Sequence, residues 1–126
     1  HVASFADWLA TAAQLANAPA PAGLDSLSFA PTLRGEAGQR AHEFLYWEFH
    51  EGGFRQAALY QGRWKGIRSG APDAAVRLFD QQRDAAETND VAALHPEIAR
   101  KIGEYLSAAR SASDEWQPVW KPAKKK

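Results

Sequence analysis

Four stretches rich in aromatic and β-favouring side chains follow one another between residues 44 and 79, joined by connections too short to carry a crossover. They are Phe44 to Phe49, Phe54 to Tyr60, Arg63 to Arg68 and Val76 to Phe79. Gly52-Gly53 breaks the first from the second, and Ser69 to Asp73 makes a turn before the fourth. Gln61-Gly62, between the second and third, is the two-residue spacing of a hairpin. Parallel pairing needs a connection of about a dozen residues or more, so sequence neighbours pair antiparallel. The expected centre of the chain is a four-stranded antiparallel sheet.

Such a sheet has an apolar face that needs a cover, and the sequence supplies one. Pro96 suits a first helical position, where its missing N–H would be unpaired anyway, and Glu97 complements the helix dipole. Ile98, Ile102, Tyr105, Leu106 and Ala109 then mark one apolar face, with Arg100, Lys101 and Glu104 off it. At the other end, Phe5, Trp8, Leu9, Ala12, Leu15 and Ala16 share a helical face over residues 3–16. Asn17 to Gly23, with two prolines, stops that helix as an extended connector, and Phe29 to Leu33 forms a short helix or turn closed by Gly35. Polar loops fill 35–43 and Asp84 to Asp90. An extended tail begins at Ser111, with Trp116 and Trp120 expected to lie against other parts of the protein. The fold class is α+β.

Composition narrows the chemistry. The chain of 126 residues fits one domain. It has no Cys, which excludes disulfides, thiolate nucleophiles and Cys-ligated metals from it. Fifteen Lys and Arg balance fifteen Asp and Glu, so no net field points to nucleic acid or acidic lipid as a partner. No apolar run reaches the length of a membrane span, and Lys124-Lys125-Lys126 reads as a solvated tail. There is no Met, and a helical pattern begins within a few residues of His1, so a fragment or excised domain is expected.

The most suggestive cluster is Trp47-Glu48-Phe49-His50-Glu51 running into Gly52-Gly53. Strand alternation puts Trp47, Phe49 and Glu51 on one face and Glu48 and His50 on the other. A His and carboxylates at a strand end beside flexible glycines suit the edge of a site. Equally, His50 can cap the strand end and bond nearby backbone. His42, His50 and His95 are scattered, without a metal-ligand spacing. Trp64, Trp116 and Trp120 fit either a sugar-stacking platform or ordinary packing.

The order of short segments carries a resemblance. Phe44-Leu45-Tyr46-Trp47-Glu48-Phe49-His50-Glu51-Gly52-Gly53 resembles the first strand of the C-terminal subdomain of bacterial arylsulfatase-type sulfatases, the formylglycine-dependent family. Arg55-Gln56-Ala57 and Gly62-Arg63-Trp64-Lys65 resemble the next hairpin. Leu78-Phe79-Asp80, then Asp84-Ala85-Ala86-Glu87-Thr88-Asn89-Asp90, resemble the family's L-Y-D-L and D-P-G-E-x-x-N segments, and His95-Pro96-Glu97-Ile98 its closing helix. Upstream, Asp7-Trp8-Leu9-Ala10-Thr11 is similar to the D-x-x-P-T helix that ends the catalytic domain. Asp25 to Leu33 resembles the D-G-x-S-F-x-P-x-L segment after it. The match runs from His1 to about Trp116. Ala10, Ser26 and Ala85-Ala86 depart from it, at turns rather than at reactive groups.

The resemblance implies a division into 1–35, the terminal helix and connector of a truncated alkaline-phosphatase-like α/β catalytic domain; 36–112, the C-terminal subdomain; and 113–126, a basic tail. It implies a parent that hydrolyses sulfate esters, with a formylglycine made from a C-x-P-S-R motif and a calcium ion, both in the missing N-terminal catalytic domain. No cofactor or metal is expected in this chain, which would be inactive alone. His50, Glu51 and Arg55 are expected to face the substrate, and Trp64 and Ile98 to be structural. Periplasmic or secreted residence suits such a parent. The rival readings are a stand-alone binding module, and self-association through the exposed N-terminal helix.

Overall fold

The computed structural model describes residues 1–114, which fall into two compact units, His1–Glu43 and the residues from Phe44 onward. Trp116, Trp120 and the terminal lysines lie outside the described residues.

In the first unit, α1 (Asp7–Leu15) and α2 (Ala30–Arg34) are joined by the proline-containing connector. The apolar stripe foreseen on α1 is exposed, with Phe5 95% accessible and Trp8 56%. The buried positions of α1 are its polar ones, Asp7 and Thr11, one helical turn apart. Hydrogen bonding explains the inversion. The Asp7 carboxylate accepts from the backbone N–H of Ser4 and Leu27, and Thr11 Oγ1 accepts from the N–H of Phe29 while donating to the Asp7 carbonyl. These two side chains thus hold the segment leading into α2. Pro31 sits in the first turn of α2, and Gly35, at φ 69°, ends it in the left-handed conformation. The loop 36–43 closes back onto this unit, with Gln39 bonded to Thr32 and to the Ser28 carbonyl.

In the second unit, β1 (Phe44–Phe49), β2 (Arg55–Tyr60), β3 (Trp64–Ser69) and β4 (Arg77–Asp80) form one antiparallel sheet in sequence order. The hairpin between β2 and β3 takes positive φ at both Gln61 and Gly62, with the Arg63 N–H returning to the Tyr60 carbonyl. Helix α3 (Pro96–Ala108) lies over β2 and β3, with Pro96 in its first turn. Its Ile102 and Leu106 are fully buried with Ala58, Trp64 and Leu78, and Tyr105 stacks on Phe44 at 4.0 Å. The loop after β4 is held by carboxylates. Asp84 accepts from Thr88 and Asn89, and Asp90 accepts from the N–H groups of Leu78 and Ala92. This α+β arrangement is the expected one. Among the described residues, no helix is long and apolar enough to cross a membrane.

Candidate functional site at the end of the first strand

Alternation along β1 directs Phe44, Tyr46 and Glu48 toward α3, and Leu45, Trp47 and Phe49 away from it. Register continues the inward set across the sheet. Glu48 lies opposite Gln56, which lies opposite Arg68. These three form a polar row beside an apolar row of Tyr46, Ala58, Gly66 and Leu78.

Glu48 is the hub of that polar row. Its carboxylate accepts a short hydrogen bond from the Tyr46 hydroxyl, one of 3.0 Å from Gln56 Nε2 and one of 2.6 Å from His50 Nε2. Arg110 Nε, just past the end of α3, stands 3.3 Å from the same carboxylate. Burial pushes the Glu48 carboxyl up, but the bonds from Tyr46, Gln56 and His50 and the Arg110 charge outweigh it, so Glu48 stays ionised below the usual carboxylate range. Burial and then the neighbouring carboxylate push the Tyr46 phenol up to about 12. Arg68 extends the row to α3, donating to the Gly103 carbonyl and to Ser107 Oγ.

His50 is therefore held by a side-chain carboxylate, whereas the sequence left open either an active site-edge group or a backbone-bonded cap. Its ring also lies 5.6 Å from that of Phe54. The carboxylate fixes the ring's orientation. Glu51 and Arg55 are exposed on either side of the Gly52-Gly53 turn, closed by the Gly53 N–H on the His50 carbonyl. Gly52 at φ 79° is a backbone shape that glycine adopts without strain. The structure thus sets His50, Glu51 and Arg55 around one turn, with His50 anchored and the other two presented to solvent. Such a turn can offer a guanidinium to an anion and a carboxylate to a hydroxyl.

His42 and His95 have structural partners. His42 Nε2 bonds the buried Asp7 carboxylate at 2.9 Å, and the His95 ring lies 4.7 Å from Trp64. Trp64 is buried in the core with the Arg63 guanidinium 4.4 Å from its ring, which assigns it to packing. Sequence reasoning passed over Tyr46, Gln56, Arg68 and Arg110. The signal for the first three was present, since polar groups at inward strand positions are rarely left without partners. Arg110 follows the helix, and only the packing angle of α3 brings it to Glu48.

Among the described residues, no group of three or more His, Cys, Asp and Glu side chains is placed to hold a metal, and the chain has no Cys to convert.

No family model and no curated protein matches the sequence. Solved structures do match. A Bacteroides thetaiotaomicron protein assigned as a sulfatase superposes with a TM-score of 0.69 at 23% identity, over 92% of this chain and 27% of its own. A 2-O glycosaminoglycan sulfatase matches 82% of this chain at 26% identity and a TM-score of 0.61. A third protein, from a Bacteroides thetaiotaomicron locus for metabolism of multiple glycosaminoglycans, matches 82% at 29% identity and a TM-score of 0.62. The chain spans only about a quarter of the length of these structures, 23–27%.

Proposed function

The chain has the fold of the C-terminal part of bacterial sulfatases, and on that premise we propose that it is the C-terminal portion of a sulfatase, a sulfuric-ester hydrolase. The observation that carries this reading is the superposition over 92% of the chain onto a quarter of a larger sulfatase. The ordered segments from Asp7 to Ile98 support it independently. Two of those segments hold each other, since Asp7 and Thr11 bind the backbone of Leu27 and Phe29.

In this reading, bond cleavage belongs to the rest of the polypeptide. Formylglycine and calcium reside there too, and the present chain is inactive alone. Residues 1–35 end the catalytic domain, 36–112 form the C-terminal subdomain, and the residues beyond 112 are its tail. The subdomain completes the fold and lines the substrate pocket through the turn at the end of β1. There Arg55 meets anionic groups of the substrate, Glu51 accepts hydrogen bonds from its hydroxyls, and His50, fixed by Glu48, sets the shape of the turn. Two of the matching structures are glycosaminoglycan proteins by description, which favours a sulfated saccharide as the ester. Residence outside the cytoplasm suits such a substrate.

The test is to read the coding sequence around this chain and assay the whole product. A C-x-P-S-R or S-x-P-S-R motif upstream, with release of sulfate from an aryl or saccharide ester, is the expected result. A reading frame confined to these residues, or a whole product that binds sulfated saccharide without hydrolysing any ester, overturns it in favour of a binding module.

A further inference from the structure

The Glu48 carboxylate divides its two oxygens between two parts of the fold. Oε2 accepts from the Tyr46 hydroxyl and from Gln56 Nε2, both on the sheet. Oε1 lies 2.6 Å from His50 Nε2 and 3.3 Å from Arg110 Nε. His50 follows the last residue of β1 and opens the Gly52-Gly53 turn, whereas Arg110 follows the C-cap residue of α3. One oxygen thus joins that turn to the end of the helix. The Glu48 side chain is 9% exposed and that of Arg110 25%, so water screens the pair only in part.

We infer that Arg110 is a positioning residue for the turn at the end of β1: by sharing Glu48 Oε1 with His50, it fixes where the carboxylate points and so where the imidazole stands. The inference rests on the sulfatase reading proposed above and deepens it by adding a specificity-determining residue from outside the turn. The last torsion of a glutamate side chain is broad, so donors from two directions are needed to fix the carboxylate plane. Tyr46 and Gln56 hold Oε2, and His50 is itself the group to be placed. Arg110 supplies the second direction, with a rigid guanidinium plane that orients its partner better than a flexible ammonium does. Its removal leaves the Oε2 bonds and the buried contacts of Ile102 and Leu106 in place, so the effect falls on the turn. A cation just past a helix end also complements the helix dipole. That role alone changes stability and leaves the choice of ester untouched.

The experiment uses the whole protein that carries this chain. Arg110→Gln is expected to change the ratio of kcat/KM between two sulfate esters by about threefold or more. It should also speed amide exchange in the peptide around Gly53, whose N–H closes the turn on the His50 carbonyl. Arg110→Lys, which keeps the charge, is expected to recover part of both. In a His50→Ala background, Arg110→Gln should leave the ester ratio where His50→Ala alone puts it. An ester ratio unmoved by Arg110→Gln, with a loss of stability in urea, overturns the proposal in favour of a helix-end role. A shift of the same size in both backgrounds also overturns it, because Arg110 would then act on the substrate without His50. Failure of the sulfatase reading is seen separately, as a lack of sulfate release from any ester. Amide exchange then decides alone, and a turn that exchanges no faster in Arg110→Gln overturns the positioning role.

Discussion

Gly66 and Ile102 meet so closely that a Cβ built on Gly66 falls 2.4 Å from Ile102 Cγ2 and 3.0 Å from Val76 Cγ1. Glycine at the middle of β3 thus lets α3 lie against the sheet, with Ile102 fully buried above it. Gly66→Ala should destabilise the protein by about 1–3 kcal/mol, because the added methyl forces the helix or the isoleucine to move. Ile102→Ala removes the opposing branch and should itself cost about 2–5 kcal/mol. The pair should be non-additive, with Gly66→Ala much milder in the Ile102→Ala background. Urea unfolding of the four proteins measures the coupling, and additive costs would show that the contact is slack.

Trp64 offers a second stability test. It belongs to the buried cluster of Ala58, Leu78, Ile102 and Leu106, with the His95 ring 4.7 Å away and the Arg63 guanidinium stacked on it and bonded bidentately to Asp80. Trp64→Ala should cost about 3–5 kcal/mol. A loss below 1 kcal/mol in denaturant unfolding would contradict its place in the core.

The strands and α3 were legible because their signals are local: β-favouring runs, turn glycines and a 3.6-residue apolar stripe ending at known cap residues. Helix α1 shows where that logic stops. Its stripe of Phe5, Trp8 and Leu9 predicts an inward face, yet Asp7 and Thr11 are buried instead. Partners some twenty residues away, Leu27 and Phe29, decide the matter, and no local period reports them. The resemblance did carry Asp7 and Thr11 as the fixed letters of a motif, without a physical role. The site is legible to the same degree. Alternation put Glu48 and His50 on one face, but the bonds from Tyr46, Gln56 and Arg110 that give Glu48 its character arise from sheet register and from the place where α3 ends.

The Glu48 hub makes stability depend on pH at both extremes. Its folded pKa lies below the ordinary value of 4.5, so its contribution is present above that value and fades as pH falls through the lower folded one. Tyr46 has the opposite sign. Its folded pKa is raised from 10.0 to about 12, so its stabilisation is intact below 10 and lost as pH climbs to 12. Glu48→Gln should cost on the order of 1–3 kcal/mol at pH 7 and flatten the acid limb of the stability curve. Tyr46→Phe should flatten the alkaline limb and remove the late-titrating phenol from the ultraviolet titration. Unchanged limbs in both variants would mean that the hub does not govern the pH response.

The last prediction concerns the turn at the end of β1 within the whole protein and tests its proposed role in a sulfatase. Arg55 is exposed, so Arg55→Ala should leave folding stability within about 0.5 kcal/mol. If its guanidinium meets the substrate's anionic groups before and during the reaction alike, the variant should raise KM several-fold at nearly constant kcat. If His50 acts through the turn it shapes, as proposed, His50→Ala should instead change the ratio of kcat/KM between two different sulfate esters, by about threefold or more. Stability must be measured alongside, because His50 also bonds Glu48 at 2.6 Å and its loss loosens that hub. Glu48→Gln separates the two effects: it disturbs the same hub while leaving the imidazole in place. A changed ester ratio in His50→Ala but not in Glu48→Gln places His50 at the substrate. The same change in both makes it a positioning residue whose orientation by Glu48 matters. Equal ratios in all three proteins, with KM unchanged in Arg55→Ala, would remove this turn from the substrate pocket and leave it a structural corner of the sheet.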